Sequence, residues 1–163
     1  MRIQTGNGRV DVRGISGLLD IRSSNGAIVV DGVQAEVTAR TSNGAIWASN
    51  VKGRCVLSTS NGAIDVSGTC ESLSATTSNG SVTIRAHLPE QGVLQARSSN
   101  GRIDLAVPAH LRGSLRLRTS NGRVDIERVG AALTHASITR TGVRAEMNGG
   151  GAGLIEAVTS NGV

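Results

Sequence analysis

The chain has 163 residues, enough for one domain with a substantial core, yet it contains no Phe or Tyr and a single Trp, so that core must be aliphatic. Its 22 Gly against 2 Pro, without a collagen period, exclude a triple helix and a Pro-rich linker and imply many tight turns. The net charge of +5 rests on 16 Arg and one Lys, which draws anionic polymers or surfaces without choosing among them.

From the N terminus a tetrad Thr/Ser-x-Asn-Gly recurs, its glycine falling at Gly8, Gly26, Gly44, Gly62, Gly80, Gly101, Gly122 and Gly162. The spacing is 18 residues four times, 21 twice and then 40. The longest gap holds a worn copy, Thr139-Arg140-Thr141-Gly142, which brings the number of copies to nine.

Each tetrad is followed by a short alternating run. Two residues past the glycine stand Val10, Ile28, Ile46, Ile64, Val82, Ile103 and Val124, and four past it Val12, Val30, Ala48, Val66, Ile84, Leu105 and Ile126. A second alternating run precedes the next tetrad, with Leu19, Val37, Cys55, Leu73, Leu94 and Leu115 in one apolar column and Ile21, Ala39, Leu57, Ala75, Ala96 and Leu117 in the other. Period-2 alternation is the signature of a strand with one buried face. Gly14, Gly32, Asn50 and Gly68 mark a turn between the two runs, at positions that tolerate positive φ. The extra residues of the longer repeats fall around 86–92 and 107–113. Both prolines, Pro89 and Pro108, sit in these loops, where no sheet ladder needs their missing N–H.

Asn-Gly also makes hairpins, so an antiparallel meander is the competing architecture. There, turns at one end lie roughly 10 Å apart and gain nothing from being identical. In a parallel solenoid the coils lie about 4.8 Å apart and identical residues stack. The sequence therefore predicts an all-β, single-stranded parallel β-solenoid of about nine coils over residues 1–163. Its ladder of side-chain amides comprises Asn7, Asn25, Asn43, Asn61, Asn79, Asn100, Asn121 and Asn161. The Thr/Ser column beside it is expected to pair hydroxyls in the same way. Left-handed hexapeptide helices are excluded, because the positions six and twelve residues after Ile64 are Cys70 and Thr76. The worn segment, 131–153, is expected to be the least ordered. Open coil ends invite end-to-end self-association.

The recurrent Thr-Ser-Asn-Gly-x-[Ile/Val]-x-[Val/Ile], followed by Gly and a second alternating strand, resembles bacterial β-strand-repeat domains of unknown function grouped as an adhesin family. The resemblance covers nearly the whole chain outside the worn segment. It implies a cell-envelope or extracellular location, and carries over no catalytic motif. No transmembrane segment and no signal-peptide pattern is visible, and the chain reads as a fragment of a longer protein.

Chemistry is sparse. Asp11, Asp65, Asp104 and Asp125 share one outward column, with Arg102 and Arg123 placed to neutralise Asp104 and Asp125 diagonally, which reads as a charge ladder and not as paired catalytic acids. His87, His110 and His135 have no Cys or carboxylate at metal-ligand spacing, so neither a metal nor a cofactor is expected. Cys55 occupies a core column. Cys70 falls in a turn one coil later, roughly 10 Å away and beyond disulfide reach, so two free thiols are expected. Ice binding is disfavoured because Thr59 points inward and the outward column is charged. Trp47, in an outward column, is the one aromatic platform.

The remaining signal is an anionic-partner patch of Arg97, Arg102, Arg116, Arg118 and Arg123. Protein or anionic polysaccharide surfaces fit it. Nucleic acid does not, since no aromatic residues interleave to stack bases. The expected function is a non-catalytic adhesin-like or interaction module; the alternatives are a self-assembling scaffold and, less favoured, a polysaccharide-active enzyme.

Overall fold

A computed structural model describes residues 1–34, 36–106, 109–121 and 132–162. In chain order its strands are β1 (Arg2–Thr5), β2 (Val10–Arg13), β3 (Leu19–Ser23), β4 (Ile28–Asp31), β5 (Val37–Thr41), β6 (Ile46–Thr59) and β7 (Ile64–Thr77). They continue with β8 (Val82–His87), β9 (Val93–Ser98), β10 (Ile103–Leu105), β11 (Gly113–Thr119), β12 (Leu133–Thr139), β13 (Gly142–Met147) and β14 (Gly153–Thr159). No helix occurs among the described residues.

The strands wind as a parallel β-solenoid with two walls. The first wall holds the strand after each tetrad: β2, β4, the leading parts of β6 and β7, then β8 and β10. The second holds the strand before it: β1, β3, β5, the trailing parts of β6 and β7, then β9. Lateral register follows the repeat, so Leu19, Val37, Cys55, Leu73 and Leu94 lie side by side. The alternating residues face inward as the pattern requires, and Leu19, Ile28, Ile46, Leu73 and Leu94 are essentially inaccessible to water. At the second corner Gly14, Gly32 and Asn50 adopt φ of 62°, 63° and 52°, the left-handed region that a Cβ disfavours.

That corner also supplies a third apolar column. Val33, Val51, Cys70, Leu88 and Leu111 all point inward there and are buried. Cys70 is therefore a core residue and not a residue of an exposed turn.

The far end departs from the expectation of nine coils: the described residues complete six, each with one strand in either wall. Two rearrangements account for the difference. First, the worn tetrad makes a hairpin turn. β12 and β13 run antiparallel, with Thr139 opposite Gly142, and β13 runs antiparallel to β11. The worn copy carries Thr141 where the others carry Asn. It has no amide with which to extend the ladder, and the chain reverses. The worn segment thus contributes the hairpin strands Leu133–Thr139 and Gly142–Met147.

Second, β14 does not extend the rod. It enters the second wall between β9 and β11, parallel to both: Ile155 pairs with Leu94 on one side and Leu115 on the other. The point of entry is lined with glycine. A Cβ on Gly113 would lie 1.8 Å from the Gly153 carbonyl oxygen, and one on Gly153 would lie 2.5 Å from that of Arg112.

Candidate functional site

The tetrad corner makes the longest regular array. Asn25 Nδ2 donates to Asn7 Oδ1, Asn43 to Asn25, Asn61 to Asn43, Asn79 to Asn61 and Asn100 to Asn79, all at 2.7–2.8 Å. The column then leaves sequence order. Asn161 donates to Asn100 at 2.7 Å, and Asn121 donates to Asn161 at 2.9 Å. All eight expected asparagines belong to the ladder, with the last two exchanged because β14 is inserted. Every amide hands its proton toward the N-terminal end.

The glycines that follow are required by proximity. A Cβ on Gly44, Gly62, Gly80 or Gly101 would lie 2.0–2.2 Å from the carbonyl oxygen of the tetrad glycine one coil below. Gly26 meets Gly8 and Gly162 meets Gly101 in the same way. Gly122 lies outside the described residues. The inward hydroxyls do not pair with one another as expected: Thr41, Thr59 and Thr77 donate to the carbonyls of Gly26, Gly44 and Gly62 at 2.9–3.0 Å. Ser98 and Thr159 do the same to Gly80 and Gly101. The carbonyl that excludes a Cβ thus accepts a bond from the next coil.

The outward face of the first wall carries the aspartate column. Arg9 Nε lies 2.9 Å from Asp11, and Arg102 Nε lies 2.6 Å from Asp104. In this column Asp11 neighbours Val29, then come Trp47, Asp65, Thr83 and Asp104. No two described aspartates are adjacent in it; Asp125 lies outside the described residues. At the end of this wall Asp31 Oδ1 accepts bonds from Asn50 Nδ2 and Ser49 Oγ, both at 2.9 Å. These two donors, Asn50 first, hold the Asp31 carboxyl below its ordinary pKa, with a smaller contribution from Arg13.

Cys55 and Cys70 are free and fully buried. Their side chains interact inside the core. Their mutual hydrogen bond, then burial, pushes the Cys55 thiol far above the usual thiol range.

The expected arginine patch is divided by the fold. Arg102 sits at the first wall beside Asp104, and Arg123 lies outside the described residues. Arg97 is on the second wall but is separated from β11 by β14, and its guanidinium is held by Glu156 at 3.0 Å. Arg116 and Arg118 remain together on the outer face of β11. Opposite Arg116 across the antiparallel pair stands Arg144, and opposite Arg118 stands Gly142. Beyond them on β12 lie Ser137 and Thr139. These residues line a groove of about 380 Å³. Arg116, Arg118 and Arg144 are exposed and have no carboxylate partner among the described residues. Sequence reasoning misses Arg144 because a worn repeat states no register; the period-2 alternation of its strand, Val143 and Ala145 inward, is the available signal.

A family model described as a domain of unknown function, DUF7330, matches residues 19–144. The chain belongs to that family. The DUF7330 match begins at β3, after the first coil, and ends inside β13, so β1, β2 and β14 lie outside it. Neither the search of curated proteins nor that of solved structures finds a match.

Proposed function

We propose that this DUF7330 chain is a non-catalytic interaction module that presents an arginine-lined outer face to an anionic surface, polysaccharide above all. The observation that carries this reading is the convergence of Arg116, Arg118 and Arg144 on one groove whose one carboxylate among the described residues, Glu156, is ion-paired with Arg97. Guanidiniums on neighbouring strands offer planar, forked donors to oxyanions, so less side-chain entropy is lost per hydrogen bond formed. The likeness of the repeats to bacterial adhesin-type domains supports surface adhesion as the context, and a cell-envelope or extracellular location with it.

Self-assembly by end stacking is the weaker reading. It needs regular coil edges at both ends, and the second wall ends instead in the β12–β13 hairpin, whose outer strand is irregular between Thr134 and Ser137.

Retention on a polyanionic resin tests the proposal. The chain should bind and elute with salt, and the triple variant Arg116→Gln, Arg118→Gln, Arg144→Gln should elute markedly earlier. A control triple, Arg22→Gln, Arg40→Gln, Arg85→Gln, removes the same charge elsewhere. Equal losses from both triples would reduce the effect to net charge and defeat the assignment of a site.

A further inference from the structure

Resting on that reading, we infer that the groove between β11, β12 and β13 seats a tetrahedral oxyanion ester, a phosphate or sulfate group on a small or polymeric carrier, over the bare backbone of Gly142. Two rows of residues cross the sheet here. One runs Glu156, Arg116, Arg144, Ser137, and the next runs Val158, Arg118, Gly142, Thr139. Arg116 and Arg118 are two residues apart on one strand, roughly 6.5 Å. Arg116 and Arg144 face each other across the ladder with Cβ atoms about 5 Å apart. Three cations therefore stand at three corners of a small quadrilateral, and its fourth corner, Gly142, carries no side chain.

A planar carboxylate offers two oxygens in one plane and satisfies one guanidinium fork. A tetrahedral ester offers three terminal oxygens in three directions, so three forks can engage it together. The opening of about 380 Å³ suits one such group with its carrier sugar and lies near the small end of ligand sites. Ser137 Oγ adds a hydroxyl donor beside Arg144.

Glu156, in register with Arg116, lines the groove as its one carboxylate among the described residues, and it does not close the site. Arg97, on the opposite side of β14, holds Glu156 Oε2 at 3.0 Å and draws its charge away from the groove. Arg97 is thus a positioning residue: it keeps Arg116 available without entering the groove.

Calorimetric titration of the intact chain with a hexose monophosphate, a hexose monosulfate and a hexuronate tests the inference. Saturable binding of one or both tetrahedral esters, at least tenfold tighter than the uronate, is expected. Ser137→Glu, which places a carboxylate opposite Arg144 on an exposed edge, should abolish it. Arg97→Gln should weaken it about threefold by releasing Glu156, and Arg40→Gln should leave it unchanged. Lowering the pH from 7.5 to 5.5 weakens a phosphate monoester, whose second pKa is about 6, and spares a sulfate, which identifies the group. Uronate binding as tight as the esters, or no saturable ester binding while resin retention persists, overturns this inference and leaves the broader reading standing. Loss of retention as well defeats both.

Discussion

Asn161 donates its side-chain amide to Asn100 across 2.7 Å, although 61 residues of chain separate them. The next asparagine along the rod, Asn121, is closer to Asn100 in sequence but one layer further away in space. Two chemically identical links are thus filled out of order, and the ladder's energetics can reveal it.

Substituting Asn161 with Ala removes two amide bonds, as does substituting Asn61, because both are interior to the column. Each loss should cost about 1–2 kcal/mol in denaturant unfolding. If Asn161 ended the ladder, its substitution would cost clearly less than that of Asn61.

Glycines that look alike in sequence should differ in tolerance. Gly62→Ala forces a methyl to within 2.1 Å of the Gly44 oxygen, and roughly 3 kcal/mol or more of stability should be lost, since backbone on both sides resists movement. Gly149 has a φ of 79° but nothing within 4 Å of the place its methyl would take, so Gly149→Ala should cost only about 1–2 kcal/mol. Thermal melts of the two variants compare steric exclusion with backbone strain.

Asp31 gives the rod a pH dependence of predictable sign. Its folded pKa is depressed by Asn50 and Ser49, so its contribution to stability is complete above the unfolded value of about 3.9 and disappears as pH falls through the folded one. Asp31→Asn should therefore destabilise the chain more at pH 7 than at pH 2.5. Equal effects at both pH values would show that the carboxylate charge is irrelevant to these bonds.

The thiols of Cys55 and Cys70, both buried, should resist a charged alkylating reagent in the folded chain. Both should react on unfolding. Modification of either under native conditions would require the wall to open between β6 and β7.

The regular coils are legible because one physical rule writes them repeatedly. A period-2 pattern with a stacked corner leaves a column wherever the eye counts from Gly26 or Gly62. The corner column Val33, Val51, Cys70, Leu88 and Leu111 escapes because it supplies one residue per coil and so has no local alternation. The position of β14 is not legible at all. Its inward residues Ile155 and Ala157 fit equally well against Leu94 and Ala96 or Leu115 and Leu117, and nothing local to 153–159 states which neighbour lies on which side. The groove inherits that ambiguity, since it depends on which strand stands next to β11.

The interleaving of β14 also has a bearing on synthesis. A ribosome delivers the first six windings in order, and each can settle on its predecessor as it emerges. β11 cannot reach its final neighbour until some 40 further residues have been translated, about 2–8 s at ordinary elongation rates. Throughout that interval the free rim of β9 is a hydrogen-bonding template open to premature capture, with β11 in matching register the nearest competitor.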